Sequence, residues 1–591
     1  MKTRTARLLL ALLLVSSAVS AIAADPAKVL RVASFDIETL DPEQYVENPS
    51  FEITRALFEG LYEFEYLDAP PRLYPNTATA LPEISADGLT WTIHVRPGIF
   101  FIDDPAFKGK PRELTAEDYV YSLKRWLDPN LKRGGAPLTT DLIVGAREVV
   151  SAATQAGKFD YDRPMEGLRA LDRYTLRLKL TEPSYPPIQV LVTLGAVARE
   201  VVEDAGGDIR ARPVGTGPYR LKEWKRGSRV LLEANPNYRT VSFPGSRDPA
   251  KAVLVRSMRG KTLPQIGAVE VSIIDEDVTR LLDFDSGGLD YIALRGEIAT
   301  RPLANGKLKP EYVARGVQRV VFPEAYIFAL FLNIKDPVIG GMTNERIALR
   351  RAISMAIDTS RMVDVVYAGQ ALTANQIVPP LATGHDKALS QKSQYDPAAA
   401  KALLDRFGYN KRDAGGYRLA PDGSPLTINM TLRSGQVSRE IQTLVNKNLE
   451  AIGLRVAFHI TPFQDAVKEI IGGQYQMWFG GFGGNPSGYG TLLLLWSKSP
   501  PPINYTRFSY PDYDRAFEQF LRSPEEPEQI ASARKMSEIA RTYVPMRPLI
   551  YRLQNDYVQP WVQGYSPMPF DVYWKYLDID LAQQQRQAKR R

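Results

Sequence analysis

Residues 114–126 run LTAEDYVYSLKRW and residues 215–238 run GTGPYRLKEWKRGSRVLLEANPNY, and the reading of the fold turns on these two stretches. In the first, Thr115 and Asp118 stand three apart ahead of an apolar run. That is the spacing of a capping box, in which a hydroxyl and a carboxylate satisfy the free amides of a first helical turn. Tyr119, Leu123, Trp126 and Leu127 then share one helical face, and Pro129 stops the helix. Upstream, Asp87-Gly88 signals a turn. Leu89, Trp91, Ile93 and Val95 follow, alternating with Thr90, Thr92, His94 and Arg96. Strict period-2 alternation predicts a half-buried strand with His94 on its polar face, ended by Pro97-Gly98.

Further along, Asp396-Pro397 predicts a helix start with Pro at the first helical position. Leu403, Leu404 and Phe407 form its apolar face, and Gly408 lies just past its end. Residues 426–432 read as a strand, 437–452 as a helix closed by Gly453, and Leu454, Val456, Phe458 and Ile460 as a second alternating strand. A short helix over 463–471 and a strand over 474–479 complete a β-α-β-α-β order, which implies a sheet with helical crossovers. The run Gly480-Gly481-Phe482-Gly483-Gly484 has two readings: a tight, exposed strand-to-loop turn, or close approach of backbone to a ligand.

The start of the chain points to a compartment. Lys2, Arg4 and Arg7 precede a short apolar run, Leu8 to Val15, and Ala21-Ile22-Ala23 supplies the small-x-small pattern of a cleavage site. Residues 1–23 are therefore expected to be a signal peptide; Ser16, Ser17 and Ser20 interrupt the run too early for a membrane anchor. The chain has no cysteine, which excludes disulfides, thiolate metal sites, a Cys nucleophile and lipid attachment at the cleavage site. A soluble periplasmic protein is expected. The leader carries three of the cations behind the formal charge of +7, so the mature chain lies closer to neutral. Arg586, Lys589, Arg590 and Arg591 read as a solvated basic tail. No face interleaves basic and aromatic residues, so nucleic acid is not an expected partner.

A search for chemistry returns little. His94, His385 and His459 are far apart, and there is no H-x-x-x-H pair, no nucleophile elbow and no P-loop. No catalytic residue, metal ligand or cofactor is expected. Two alternatives stay open: an exported hydrolase whose site assembles only in space, and a periplasmic chaperone-like relative. Turnover of generic substrates would reveal the first, suppression of aggregation the second.

Several blocks occur in a familiar order. They are Ile53 to Tyr62 (ITRALFEGLY), the hairpin over 81–98 leading into LTAEDYVYSLKR, GTGPY with Trp224 and Asn235-Pro236-Asn237-Tyr238, FDSGGLDY at 284–291, LRRAISMAID at 349–358 with Gly369 and Pro379-Pro380, and WVQGY at 561–565. Together they resemble the family 5 extracellular solute-binding proteins of bacterial peptide and nickel ABC transporters. The resemblance implies an α/β, two-lobed periplasmic-binding-protein fold with an extra subdomain on lobe I and a hinged interlobe cleft. Lobe I would comprise residues 24–57, 190–325 and 550–591, the extra subdomain 58–189 and lobe II 326–549. Hinge strands are expected near 328–333 and 548–552. The implied role is a monomeric component of an importer, capturing a peptide or other small organic solute and delivering it to an inner-membrane ABC permease.

One departure bears on the solute. Peptide-binding members carry aspartate in a G-W-x-x-D-x-x-D-P-like segment that pairs with the peptide's ammonium. Here the segment reads Gly481-Phe482-Gly483-Gly484-Asn485-Pro486, and no acid occurs from 470 to 511. A buried ammonium needs a charge partner. The expected site is thus an apolar wall of Trp478, Phe482 and Tyr489 with the Gly483-Gly484-Asn485 backbone, facing Gln44, Tyr45 and Asn48 as polar contacts. The aromatics read equally as ordinary core. A ligand without a free α-amine, or a peptide held elsewhere by Glu276 or Asp277, then replaces a simple dipeptide.

Overall fold

Three larger sheets organise the chain, whose computed structural model describes residues 24–45, 48–131, 137–389, 395–568, 570 and 574–589. The expected leader, its cleavage site and the last two residues of the basic tail lie outside them. No helix among the described residues is long and apolar enough to cross a membrane.

The first sheet has the order Asp25–Ser34, Ile266–Ile273, Arg229–Ala234, Tyr219–Lys225. Its first pair is parallel and the others antiparallel, so the second of the deciding stretches folds as a hairpin at one edge. The glycines of GTGPY have a packing reason. A Cβ on Gly215 would stand 2.1 Å from the Leu57 carbonyl oxygen, and one on Gly217 would stand 2.6 Å from it. Glu59 binds this corner together, accepting hydrogen bonds from the Tyr238 hydroxyl at 2.9 Å and from Arg239 at 2.5 Å. Asp290 does the same for the first strand, accepting from Arg31 and from the indole of Trp561. These motifs are structural fastenings.

The second sheet is antiparallel: Glu83–Ile84, Thr90–His94, Thr175–Lys179, Leu168–Ala170. Trp91 and Ile93 are 1% exposed while His94 faces water, as the alternation requires. Helix Ala116–Leu127 packs on this sheet. Asp118 closes its first turn, taking the Thr115 amide at 2.7 Å and the Thr115 hydroxyl at 2.9 Å.

The third sheet has eight strands. Its main path is Tyr291–Arg295, Met546–Val558, Tyr326–Leu332, Met477–Gly483, Thr427–Arg433, Arg455–Thr461. Thr427–Arg433, Arg455–Thr461 and Met477–Gly483 run parallel and are linked by helices Gln436–Ala451 and Phe463–Ile471, as the β-α-β-α-β pattern predicts. Arg455–Thr461 lies at the edge, and its alternation fades until Ile460 is 45% exposed.

The glycine run differs from its reading as a turn. All of it but Gly484 lies inside strand Met477–Gly483, with Gly480, Gly481 and Gly483 opposite Ala329, Phe328 and Tyr326. A Cβ on Gly480 would meet the Trp478 ring at 2.3 Å, and one on Gly481 would meet the Tyr326 and Phe328 rings at 2.5 and 2.7 Å. Glycine is there to admit aromatic rings across the strand.

Strand Met546–Val558 joins two groups of strands. Its first half pairs with Tyr326–Leu332, its second with Tyr291–Arg295 and Gln318–Pro323. The chain therefore crosses between the two groups of strands at Glu324-Ala325 and again near Tyr551-Arg552, and the Glu324 amide ties the crossings by donating to the Arg552 carbonyl at 2.9 Å. The first crossing precedes the segment 328–333 named from the sequence, in which Phe328 to Phe331 are paired on both sides inside the sheet.

Candidate ligand-binding cleft

A cleft of about 800 Å³ lies beside the crossing strands. Period-2 geometry puts Arg552, Gln554 and Asp556 on one face of the long strand, and all three line the cleft. Tyr291, Ala293 and Arg295 reach it in the same way from the neighbouring strand. Glu324, at the crossing, accepts from Arg295 Nε and, at 2.8 Å, from Arg552 Nε. Arg295 Nη2 donates to Gln554 Oε1 at 2.6 Å, and Gln554 Nε2 donates to Asp556 Oδ1 at 2.9 Å. The Tyr565 hydroxyl completes the series by donating to Asp556 Oδ2. The floor is thus one chain of charge-assisted hydrogen bonds, with the Arg552 guanidinium 4.7 Å from the Phe328 ring centroid.

Burial pushes the Asp556 carboxyl up to about 6, against the hydrogen bonds from Tyr565 and Gln554 that favour its charged form. A carboxyl with a raised folded pKa makes folding take up a proton. The stability it contributes is present below about pH 4 and is lost as pH rises through about 6. Asp556→Asn removes this dependence. Wild type and variant should melt at similar temperatures near pH 4, with the variant melting higher at about pH 7. A melting difference that stays constant across that range would count against the assignment.

On the lobe I side, Ser34 and Phe35 end the first strand, and helix Asp277–Ser286 supplies Asp277 and Arg280. Arg280 Nε donates to the Ile274 carbonyl at 2.6 Å, and its guanidinium lies 3.9 Å from the Phe35 centroid. Helix Asn48–Leu57 adds Asn48, Phe51 and Glu52; the opposite lobe adds Tyr326, Gly483 and Gly484.

Phe51, Gly484 and Phe570 also line a second space of about 160 Å³, an annex whose wall includes Tyr45, Phe58, Phe64, Trp126, Leu194 and Asn485. The loop carrying Tyr45 is held by a buried cluster. Arg125 donates to Asp41 at 2.8 and 3.2 Å and to Glu43, and all three side chains are shut off from water. One cation serves two carboxylates. Burial raises both; the Arg125 charge and hydrogen bonds outweigh it at Asp41, whose pKa falls, while Glu43 is held well above the usual carboxylate range.

The sequence profile of the bacterial extracellular solute-binding proteins, family 5 middle, matches residues 72–501. The chain belongs to this family. Among its relatives is di/tripeptide-binding protein 2 of Pseudomonas aeruginosa, 25% identical, with 97% of this chain and 98% of that one aligned. Heme-binding protein A of Haemophilus influenzae is 23% identical over 90% and 89% of the two chains. The periplasmic binding protein DppA of Helicobacter pylori, solved with the peptide STSA, shares the fold at a TM-score of 0.67 and 21% identity, covering 93% of this chain and 98% of its own. The unliganded open form of the murein tripeptide-binding protein MppA superposes at 0.69 with 22% identity, over 94% and 98% of the chains. The family 5 fold, two lobes around a cleft, accounts for the architecture described above.

The structure divides the residues named from the sequence. Asn48, Gly483 and Gly484 line the main cleft, and Tyr45, Gly484 and Asn485 line the annex. Gln44 turns back to donate to Asp41 at 2.9 Å. Trp478 is 7% exposed and stacks on Phe331 with centroids 5.1 Å apart, within the second lobe's core. Phe482 and Tyr489 pack against the same core. Asp277 lines the cleft, whereas Glu276 holds the N-cap position before it. The ionic floor of Arg295, Glu324, Arg552 and Asp556 was not named from the sequence. Its one visible trace is the polar period of Arg552, Gln554 and Asp556 within an otherwise mostly apolar strand.

Proposed function

We propose that the protein captures a short peptide or similar organic solute in the interlobe cleft and delivers it to a membrane ABC permease. The observation that carries this is a cleft of about 800 Å³ walled by both lobes at the two strand crossings, in a member of family 5. Work of this kind is binding without a chemical step: a cleft desolvates the solute, a few placed polar groups orient it, and closure follows from tighter binding to the closed state. Relatives named as di/tripeptide-binding proteins support a peptide. With no acid between 470 and 511, the charge partners for a peptide ammonium sit elsewhere on the wall, at Asp277 and Glu52 on lobe I or Glu324 on the floor.

Native mass spectrometry of protein purified without denaturation is expected to show a retained solute. Small-angle scattering should show a smaller radius of gyration once a calorimetrically confirmed peptide saturates the cleft. An unchanged radius at saturation would refute hinge closure. The protein acts as a periplasmic monomer without nucleic acid, exported by residues 1–23. The intact mass of material released by osmotic shock should begin at Ala24; a mass that includes Met1 to Ala23, or a lipid adduct, would refute export in this form.

A further inference from the structure

We propose that the annex is a side-chain subsite that selects solutes carrying one aromatic or bulky branched apolar group. This rests on the cleft being the binding site, and adds to it the class of solute taken.

The annex holds about 160 Å³. An engineered cavity of about 150 Å³ with apolar walls stays dry and takes up benzene, so this volume suits one ring. The rings of Phe51, Phe58, Phe64 and Trp126 supply much of its wall, and among the described residues no carboxylate lines it. Two of the polar side chains on the wall are already engaged. Arg55 Nη1 donates to the Thr193 carbonyl at 2.7 Å, and the Thr54 hydroxyl donates to the Phe51 carbonyl at 3.0 Å. A cationic group entering here would lose its hydration without a counter-charge, whereas an aromatic ring would bury its surface against other rings.

Access comes from the main cleft past Phe51, Gly484 and Phe570, which line both spaces. Gly484 puts no side chain into that mouth, and its amide is fixed by a 2.6 Å hydrogen bond to the Ala325 carbonyl at the crossing. Gly195 serves the far wall: a Cβ there would stand 2.6 Å from Phe58 Cβ, so glycine lets that ring close the space. Helix Asn48–Leu57 and Val190 to Gly195 form one side, while Gly484 to Pro486 come from the second lobe. The subsite is therefore complete only when the lobes are together. An apolar group seated in it favours the closed state over the open one.

The test measures Phe-Ala-Ala, Ala-Phe-Ala, Ala-Ala-Phe and Ala-Ala-Ala by calorimetry on wild type and on two variants that fill the annex from opposite walls, Val190→Trp and Asn485→Phe. One phenylalanine peptide should bind wild type about ten-fold more tightly than Ala-Ala-Ala, the scale on which hydrophobic pockets discriminate. Either filled variant should lose that preference, binding the favoured phenylalanine peptide no more tightly than it binds Ala-Ala-Ala. Equal binding of all four peptides by wild type, or a preference that survives filling, overturns the subsite and leaves the peptide cleft standing. Absence of binding by every peptide instead counts against the peptide reading, and the annex is then judged by a different probe. 4-Fluorobenzyl alcohol should show a shifted ¹⁹F resonance with wild type and none with Val190→Trp; identical spectra overturn the subsite.

Discussion

Arg125→Ala is expected to destabilise the protein by about 3–5 kcal/mol, the range seen when one partner of a buried ion pair is removed. Arg125 is 1% exposed, and its partners Asp41 and Glu43 are 0% and 2% exposed. Glu43 already takes up a proton readily, but Asp41 keeps its charge through Arg125 and would be left alone in the interior. The loss should appear as a lower urea midpoint with an unchanged slope. The combined replacement Asp41→Asn, Glu43→Gln and Arg125→Met should recover much of it, because a whole buried ionic group can be exchanged at little net cost. If Arg125→Ala melts within about a degree of wild type, the cluster is not the fastening described. Since this cluster holds the loop that brings Tyr45 to the annex, the same variant should also loosen that wall.

Glu324→Ala is expected to cost about 3 kcal/mol, the low end of that range, because both guanidiniums it leaves behind keep some contact with water. Arg295 and Arg552 would then face each other across the strand crossing without their shared acceptor. Like charges at a crossing push the lobes apart, so the ligand-free variant should have a larger radius of gyration than wild type as well as a lower melting temperature. Adding Arg295→Met should return part of both, since residues in one ionic network couple energetically. Additive losses in the double variant would mean that the two arginines do not depend on Glu324.

Local pattern carried far where one principle acted alone. The capping spacing of Thr115 and Asp118 and the alternation from Leu89 to Val95 led directly to the observed helix and strand, and the β-α-β-α-β order led to the parallel part of the third sheet. The glycine run left two readings open because glycine marks turns and also yields space. Which of the two applies depends on the Tyr326 and Phe328 rings, some 150 residues earlier in the chain. Trp478, read as a wall of the site, is drawn into the core by stacking on Phe331, a contact that periodicity does not disclose. The ionic floor was hidden for a related reason. Arg295 and Arg552 lie on separate strands and Glu324 in the crossing between two others, and only the pairing around Met546–Val558 assembles them.

Strand Met546–Val558 also sets an order of events during synthesis. It supplies pairing partners to strands from both halves of the molecule, and every one of those partners precedes it in the chain. Until it arrives, Tyr291–Arg295 and Gln318–Pro323 lack their neighbour, and Tyr326–Leu332 has a partner on one side only. Neither half can complete its sheet early, and contacts of such long sequence separation form slowly. The third sheet therefore closes only once this strand is in place, while the two smaller sheets built from residues 25–273 need nothing from it.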